Sequence, residues 1–337
     1  QKTHVAAASG VSAGVYGIAA HPVDGGELAR LRSAVKRTLL RGSVEASVDA
    51  CFCCLGLPWR VDPGAHSVVA PWVAVRAALA GGRVGGDALD RMWQGAAGRT
   101  NGPVAAAAAS LGMAGVQGDW RRWVGLDGEE LDMPVCRPTA QWRDFLLRQY
   151  HLKMCRRIQH VRSQYAGLER GVDHWAMRYV ECQLGLTPSA QGALRFARAG
   201  AAVTQSKVAG RWGQGESRCP FCKSSDETLR HRYWDCEAWE PVRLGALGGR
   251  SQGSVQAGAP QVLLDAGVIP VDPELEEARA LAQVPAERDV EICPEAGTYY
   301  TDGSAVHSKD PGLRREGWEV AFRKGGVWCG VGGATPG

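Results

Sequence analysis

The sequence predicts an α-rich helical body carrying a small cysteine- and histidine-bearing segment, followed by the first antiparallel strands of an α/β domain. Three observations point there. From Gln141 to Tyr165, apolar Leu147, Tyr150, Met154, Ile158, Val161 and Tyr165 step by three or four residues, the period of one helix face. Between Arg218 and Arg243, Cys219, Cys222, His231 and Cys236 follow the spacing C-x2-C-x8-H-x4-C. Near the end, Trp318, Val320 and Phe322 alternate with Glu319, Ala321 and Arg323, and Lys324-Gly325-Gly326 turns the chain into Val327 to Val331, as a hairpin requires. The 337 residues suit about two domains at roughly 150 residues each. With 45% apolar and 22% charged residues, a packed core is available, and disorder throughout, collagen and coiled coil are excluded.

Residues 1–26 are rich in Gly and Ala, with His21-Pro22 and Asp24-Gly25-Gly26, and are expected to form a flexible N-terminal segment. A helical region follows over 27–215. It opens with Glu27 to Arg41, where Leu28, Leu31, Val35 and Leu39 share a face, Arg30, Arg32, Lys36, Arg37 and Arg41 surround it, and Gly42 stops it. Ala70 to Val116 continues as Ala-rich helices broken at Gly81-Gly82 and at Thr100 to Pro103. The least polar stretch, Gly102 to Val116, is short and mostly Ala, well below the roughly 20 strongly apolar residues a spanning helix needs. No membrane partner is expected.

The formal charge of +4 conceals an uneven distribution. Between Arg137 and Arg170 eight Lys or Arg face only Asp144 and Glu169, a net of +6. Two readings stand for this basic helix: a solvated face on a packed element, or a phosphate-contacting surface on which Arg148, Lys153, Arg156 and Arg157 are the candidate nucleic-acid ligands. Between Asp265 and Glu295 nine acids face Arg279 and Arg288, a net of −7, and five prolines from Pro260 to Pro294 punctuate the stretch. Residues 244–296 are therefore expected to be an acidic, Pro-containing linker.

The segment 216–243 carries the strongest local chemistry. Two cysteines flanking Pro220-Phe221 place both sulfurs on one ion, and His231 and Cys236 complete a tetrahedral Zn²⁺ site. Four protein ligands leave no open position, so the zinc is structural. Phe221, Tyr233, Trp234 and Trp239 crowd the cluster; they can cover the metal or stack on unpaired bases, and covering suits so small a finger better. The other eight cysteines form no comparable quartet and read as core. Eleven unevenly spaced cysteines and the lack of a secretory leader point to a reducing compartment, nucleus or cytoplasm.

Cys-Pro-Phe-Cys222, then Glu227-Thr-Leu-Arg-His231 and Tyr-Trp-Asp-Cys236, resembles the zinc-binding segment of non-LTR retrotransposon reverse transcriptases. Leu31 to Arg41 and Trp59-Arg-Val-Asp-Pro63 are more weakly similar to the helical region that follows the polymerase there, and no Asp-Asp pair of a polymerase occurs. After the linker, Tyr-Thr-Asp302-Gly-Ser304 and two further strands over 297–337 resemble the opening of type 1 ribonuclease H. The resemblance implies an endonuclease of RNA/DNA hybrids that uses two Mg²⁺ ions, with Asp302 as its first metal-binding carboxylate. A single Asp cannot hold two such ions. The family takes its remaining carboxylates from later elements, and Glu316 and Glu319 do not match them. The resemblance thus implies a piece of a longer retroelement polyprotein with a truncated ribonuclease H domain, binding RNA or an RNA/DNA hybrid but inactive alone. The alternative is a non-catalytic zinc-finger module for RNA or protein.

Overall fold

The computed structural model describes residues 11, 17–40, 45–96, 99, 101–132, 136–183, 185–213 and 215–276, and the backbone of 299–306, 315–324 and 327–335. The chain divides into two units, 1–270 and 271–337.

In the first unit, local chemistry marks where helices start. Asp24 accepts the Glu27 N–H at 2.8 Å and caps α1 (Gly25–Leu39). Ser47 caps α2 (Val48–Cys54), and Asp62 caps α3 (Pro63–Ala80) through the Gly64 N–H at 2.9 Å, with Pro63 in the first turn. The helices α4 (Gly86–Gln94) and α5 (Pro103–Ala114) follow; α5 ends on left-handed Gly115. A small antiparallel sheet of β1 (Gln117–Gly118), β2 (Arg122–Val124) and β3 (Glu130–Asp132) precedes the long α6 (Thr139–Val161). Then come α7 (His174–Gln183), α8 (Pro188–Arg198) and α9 (Gln205–Trp212). Beyond the metal segment lie α10 (Glu240–Leu247), α11 (Gln252–Gly258) and α12 (Gln261–Ala266). No helix among the described residues is long and apolar enough to cross a membrane.

The core forms where α3, α5 and α6 meet. Trp72 of α3 meets Trp123 of β2 edge to face at 4.7 Å, and Trp123 lies 5.9 Å from Phe145 of α6. Trp72 satisfies its own N–H on the Ser110 hydroxyl of α5 at 2.9 Å. Beside these rings sits a buried charge. Arg32 of α1, 7% exposed, donates to Asp62 at 2.9 Å and to Asp49 of α2 at 3.0 Å, and lies over the Phe52 ring at 4.9 Å. Tyr150 of α6 donates to the second Asp62 oxygen at 3.1 Å. Burial alone would depress the Arg32 guanidinium, but Asp62, Tyr150 and Asp49 outweigh it and its pKa is raised. Gly64 makes the approach of α3 to α6 possible, because a Cβ there would collide with the Tyr150 hydroxyl.

Several expectations need correction. Arg32 and Lys36 flank the apolar face of α1 in sequence, yet both are buried, Lys36 donating to the Ala46 carbonyl at 2.9 Å. The stripe of α6 holds at Leu147, Tyr150, Met154 and Ile158, but Val161 is 76% exposed because extended Arg162 ends the helix there. The N-terminal segment is not wholly free, since Val11 and Ile18 are buried. Residues 27–215 are not purely helical: β1 to β3 interrupt them, each too short to show period two. The largest correction concerns the linker. Its first part forms α10 to α12, and Val262, Leu264, Ala266 and Val268 are buried in the body. Only residues from about 271 onward lie beyond the body, and 277–296 fall outside the described residues.

The second unit holds a three-stranded antiparallel sheet in the order β4 (Tyr299–Val306), β5 (Arg315–Lys324), β6 (Val327–Thr335). The register closes with Lys324 opposite Val327, as the predicted hairpin requires. The three antiparallel strands expected at this end are thus present.

Two predictions follow from the body. Asp62→Asn or Arg32→Met is expected to cost about 3–5 kcal/mol in urea unfolding, because either leaves a buried charge without its partner. His151 of α6 and His174 of α7 stand edge to face at 6.1 Å, and desolvation holds both near 4, helped at His151 by Arg32 and at His174 by His151. The unfolded chain takes up these protons at about 6.5, so their contribution is complete above that pH and lost as it falls toward 4. The urea midpoint should drop across that window, and less steeply in His151→Phe.

Candidate metal centre

The four predicted ligands converge. Every pair of ligand atoms among Cys219, Cys222, His231 and Cys236 lies within 4.8 Å. Cys219 Sγ stands 3.7 Å from Cys236 Sγ, and Cys222 Sγ 3.3 Å from His231 Nε2. Sulfurs held about 2.3 Å from one zinc at tetrahedral angles sit about 3.8 Å apart, and sulfur to nitrogen about 3.5 Å. The observed edges fit that tetrahedron, so this Cys3His set suits a structural Zn²⁺. No other group of three or more candidate ligands occurs among the described residues.

The local backbone explains the convergence. Lys223 N–H donates to the Cys219 carbonyl at 3.0 Å and Cys219 N–H to the Ser225 carbonyl at 2.7 Å, folding the Cys-Pro-Phe-Cys loop back on itself. Lys223 takes a left-handed φ of 60°, alone among non-glycine residues described. The turn aims donors at Cys222: the Ser224 hydroxyl at 3.1 Å and the Ser224 and Ser225 amides draw its thiol down to about 6, toward the thiolate a metal needs. Burial pushes the Cys236 thiol the other way. A single π turn, His231–Asp235, spans the other two ligands, closed by Cys236 N–H on the His231 carbonyl at 2.7 Å. Thr228 Oγ1 accepts the His231 N–H at 3.0 Å.

The finger is seated on the body by a residue that the sequence reading passed over. Glu227 is fully buried; one oxygen accepts the Gln205 N–H at the start of α9 at 2.7 Å, the other accepts Arg232 at 2.6 Å. Its partner on α9 lies 22 residues away, so no local pattern could reveal it. Trp234 adds a contact from its indole N–H to the Leu264 carbonyl at 3.1 Å.

The aromatic cover expected over the metal is largely absent. Phe221 is 51% exposed, Tyr233 45% and Trp239 36%, with Phe221 and Trp239 meeting edge to face at 5.0 Å. Cys219, His231 and Cys236 are nevertheless buried, as is Leu229 between Glu227 and His231.

The four basic residues proposed for nucleic acid each have a partner on the body, while Arg148, Lys153 and Arg157 remain exposed. Arg148 pairs with Glu129, and Arg157 with Asp49 at 2.8 Å. Lys153 donates to the Gly112 carbonyl in the last turn of α5 at 2.5 Å, and Arg156 to the carbonyls of Leu126 and Glu169 at 3.2 and 3.3 Å. Asp302 lies within β4, not at a turn, and pairs in register with Glu319; its side chain lies outside the described residues.

Comparison with protein-family models, with curated proteins and with solved structures finds no match.

One zinc per chain is expected by elemental analysis of protein purified without chelator. Cys222→Ser and His231→Ala should each lose it and expose 216–243 to proteolysis. Full zinc content in either variant would overturn the ligand assignment.

Proposed function

We propose that the chain is a nucleic-acid-binding portion of a retroelement-type polyprotein, in which a zinc-held finger offers aromatic rings to unpaired bases. The observation that carries this reading is the exposure of Phe221, Tyr233 and Trp239 around the Cys3His quartet. Rings so placed suit base stacking, worth roughly 1–3 kcal/mol per base. The cations of α6 are engaged within the body and add a weaker, general attraction. In this reading the C-terminal strands correspond to the opening of a type 1 ribonuclease H, on the sequence resemblance of Tyr300-Thr-Asp302-Gly-Ser304, in which Asp302 matches the first carboxylate. One matching carboxylate is too few for a two-Mg²⁺ mechanism, so hybrid hydrolysis is not part of the proposed activity of this chain.

The charge of the finger favours a second reading. Residues 216–243 hold five Lys or Arg against six Asp or Glu, so phosphate attraction is slight and a protein could occupy the same rings. Fluorescence anisotropy of the zinc-loaded chain separates the two. Single-stranded RNA and an RNA/DNA hybrid are the probes. Phe221→Ala or Trp239→Ala should weaken single-strand binding about tenfold, as loss of one stack implies, while Arg157→Ala changes it little. Absence of RNA affinity would favour the protein-binding reading. Mg²⁺-dependent cleavage of the hybrid, abolished by Asp302→Asn, would overturn the statement on hydrolysis.

A further inference from the structure

Cations gather at a seam where α1, α6, α8 and α9 meet. Ser47 N–H donates to the Ala199 carbonyl at 2.9 Å, so the loop before α2 lies against the end of α8. Lys36 of α1 donates to the Ala46 carbonyl at 2.9 Å, and Arg162, just past α6, to the Glu45 carbonyl at 3.5 Å. Lys207 of α9 donates to the carbonyls of Gly200 and Ala202 at 3.4 and 3.0 Å. Arg211, one turn further along α9, pairs with the Glu45 carboxylate at 2.5 Å. Among the described residues, four cations thus meet one carboxylate here, a net of +3.

Capping accounts for part of this arrangement, since basic side chains on the last carbonyls of a helix are favourable. It does not account for the crowding. Lys207 and Arg211 stand four apart on one face of α9, where like charges disfavour the helix. A Cβ on Gly200 would lie 3.0 Å from Arg162 Nη1, and the Gly200 carbonyl is held by Lys207, so these two cations are close neighbours. Desolvation, and after it the Arg162 guanidinium, draws the Lys207 ammonium below its ordinary range. A bound anion relieves such repulsion. The donors are also within reach of one: Arg162 and Lys207 are half-buried and Arg211 is exposed, whereas Lys36 is buried and committed. Lys207 spends two of its three N–H groups and Arg162 one of five. Exposed Arg37, beside Lys36, adds charge at the rim.

We propose that this seam holds the phosphodiester backbone of a nucleic-acid strand, with Arg162, Lys207 and Arg211 as its phosphate contacts. A row of cations, two of them about 6 Å apart along the axis of α9, suits a linear polyanion better than a single phosphate. Gln205, two residues before Lys207, is bonded to Glu227 of the finger, so the seam adjoins a segment whose own charge is slight. The choice of a nucleic-acid strand rests on the reading proposed above. The placement of its phosphates rests on these cations alone.

Fluorescence anisotropy of the full, zinc-loaded chain tests this with two labelled strands of equal length, oligouridylate and an abasic sugar-phosphate strand that has no base to stack. Both should bind, and log K for the abasic strand should fall linearly with log salt. Lys207→Gln combined with Arg211→Gln should shrink that slope by about 1.4, at roughly 0.7 per single-strand phosphate, and weaken binding about tenfold near 0.1 M salt. Glu45→Gln, which removes the opposing charge and keeps an acceptor for Arg211, should tighten binding of both strands. Arg157→Ala and Phe221→Ala should leave the abasic strand little changed. No binding of the abasic strand, an unchanged slope in the double variant, or an equal loss in Arg157→Ala would overturn the proposal. Abasic binding that depends on Lys207 and Arg211, with oligouridylate indifferent to Phe221→Ala and Trp239→Ala, would uphold the seam and sink the stacking role of the rings. Circular dichroism checks the fold of the double variant, and the gain expected from Glu45→Gln decides if that variant does not fold.

Discussion

The body is organised around one buried carboxylate. Asp62 caps α3 through the Gly64 amide, receives the Arg32 guanidinium from α1 and accepts the Tyr150 hydroxyl from α6. A charge withdrawn from water is tolerated only when its hydrogen-bonding capacity is met inside, and here each donor comes from a different element. Satisfying Asp62 therefore fixes three helices relative to one another. Asp49 extends the arrangement outward, taking Arg32 on one side and Arg157 of α6 on the other. Apolar packing of Trp72, Trp123 and Phe145 supplies the bulk of the burial, but it is non-directional. The ionic cluster adds the geometric specification.

What was legible in the sequence follows from distance along the chain. The stripe of α6, the break at Gly81-Gly82 and the ligand spacing of the finger are local patterns, and they survive in the structure. Arg32 and Lys36 look like solvent-facing neighbours of an apolar stripe because nothing nearby betrays their partners. Asp62 is 30 residues away from Arg32, and Met154, which also receives it, is 122 residues away. The stretch around α12 misled for a different reason. Its prolines and acids suggest a tether, whereas Val262, Leu264, Ala266 and Val268 carry enough apolar surface to dock. Only one of the nine acids counted there, Asp265, belongs to the docked part.

The metal centre shows the same division. Which four residues converge could be read from spacing, since the loop and the π turn that present them are each a few residues long. Which way the surrounding rings point could not, because that depends on how the finger lies on α9 and α12. The basic residues of α6 illustrate how a charge excess can find partners on neighbouring elements while staying at the surface. Lys153 and Arg156 cap backbone carbonyls, a use that composition cannot distinguish from a face awaiting phosphate.

Glu227 ties the Cys3His segment to the body from within. Its carboxylate closes the start of α9 and neutralises Arg232, so a part of the finger's own interior is made of the body, and a part of α9 is made of the finger. Such a segment is not a portable cassette. Transplanted to another scaffold, it would keep its four ligands but carry an acid without its Gln205 partner, and α9 would keep its Thr204 cap but lose the acceptor of its Gln205 N–H. Inheritance of finger and body as one piece is then a condition of stability, independent of what either surface binds.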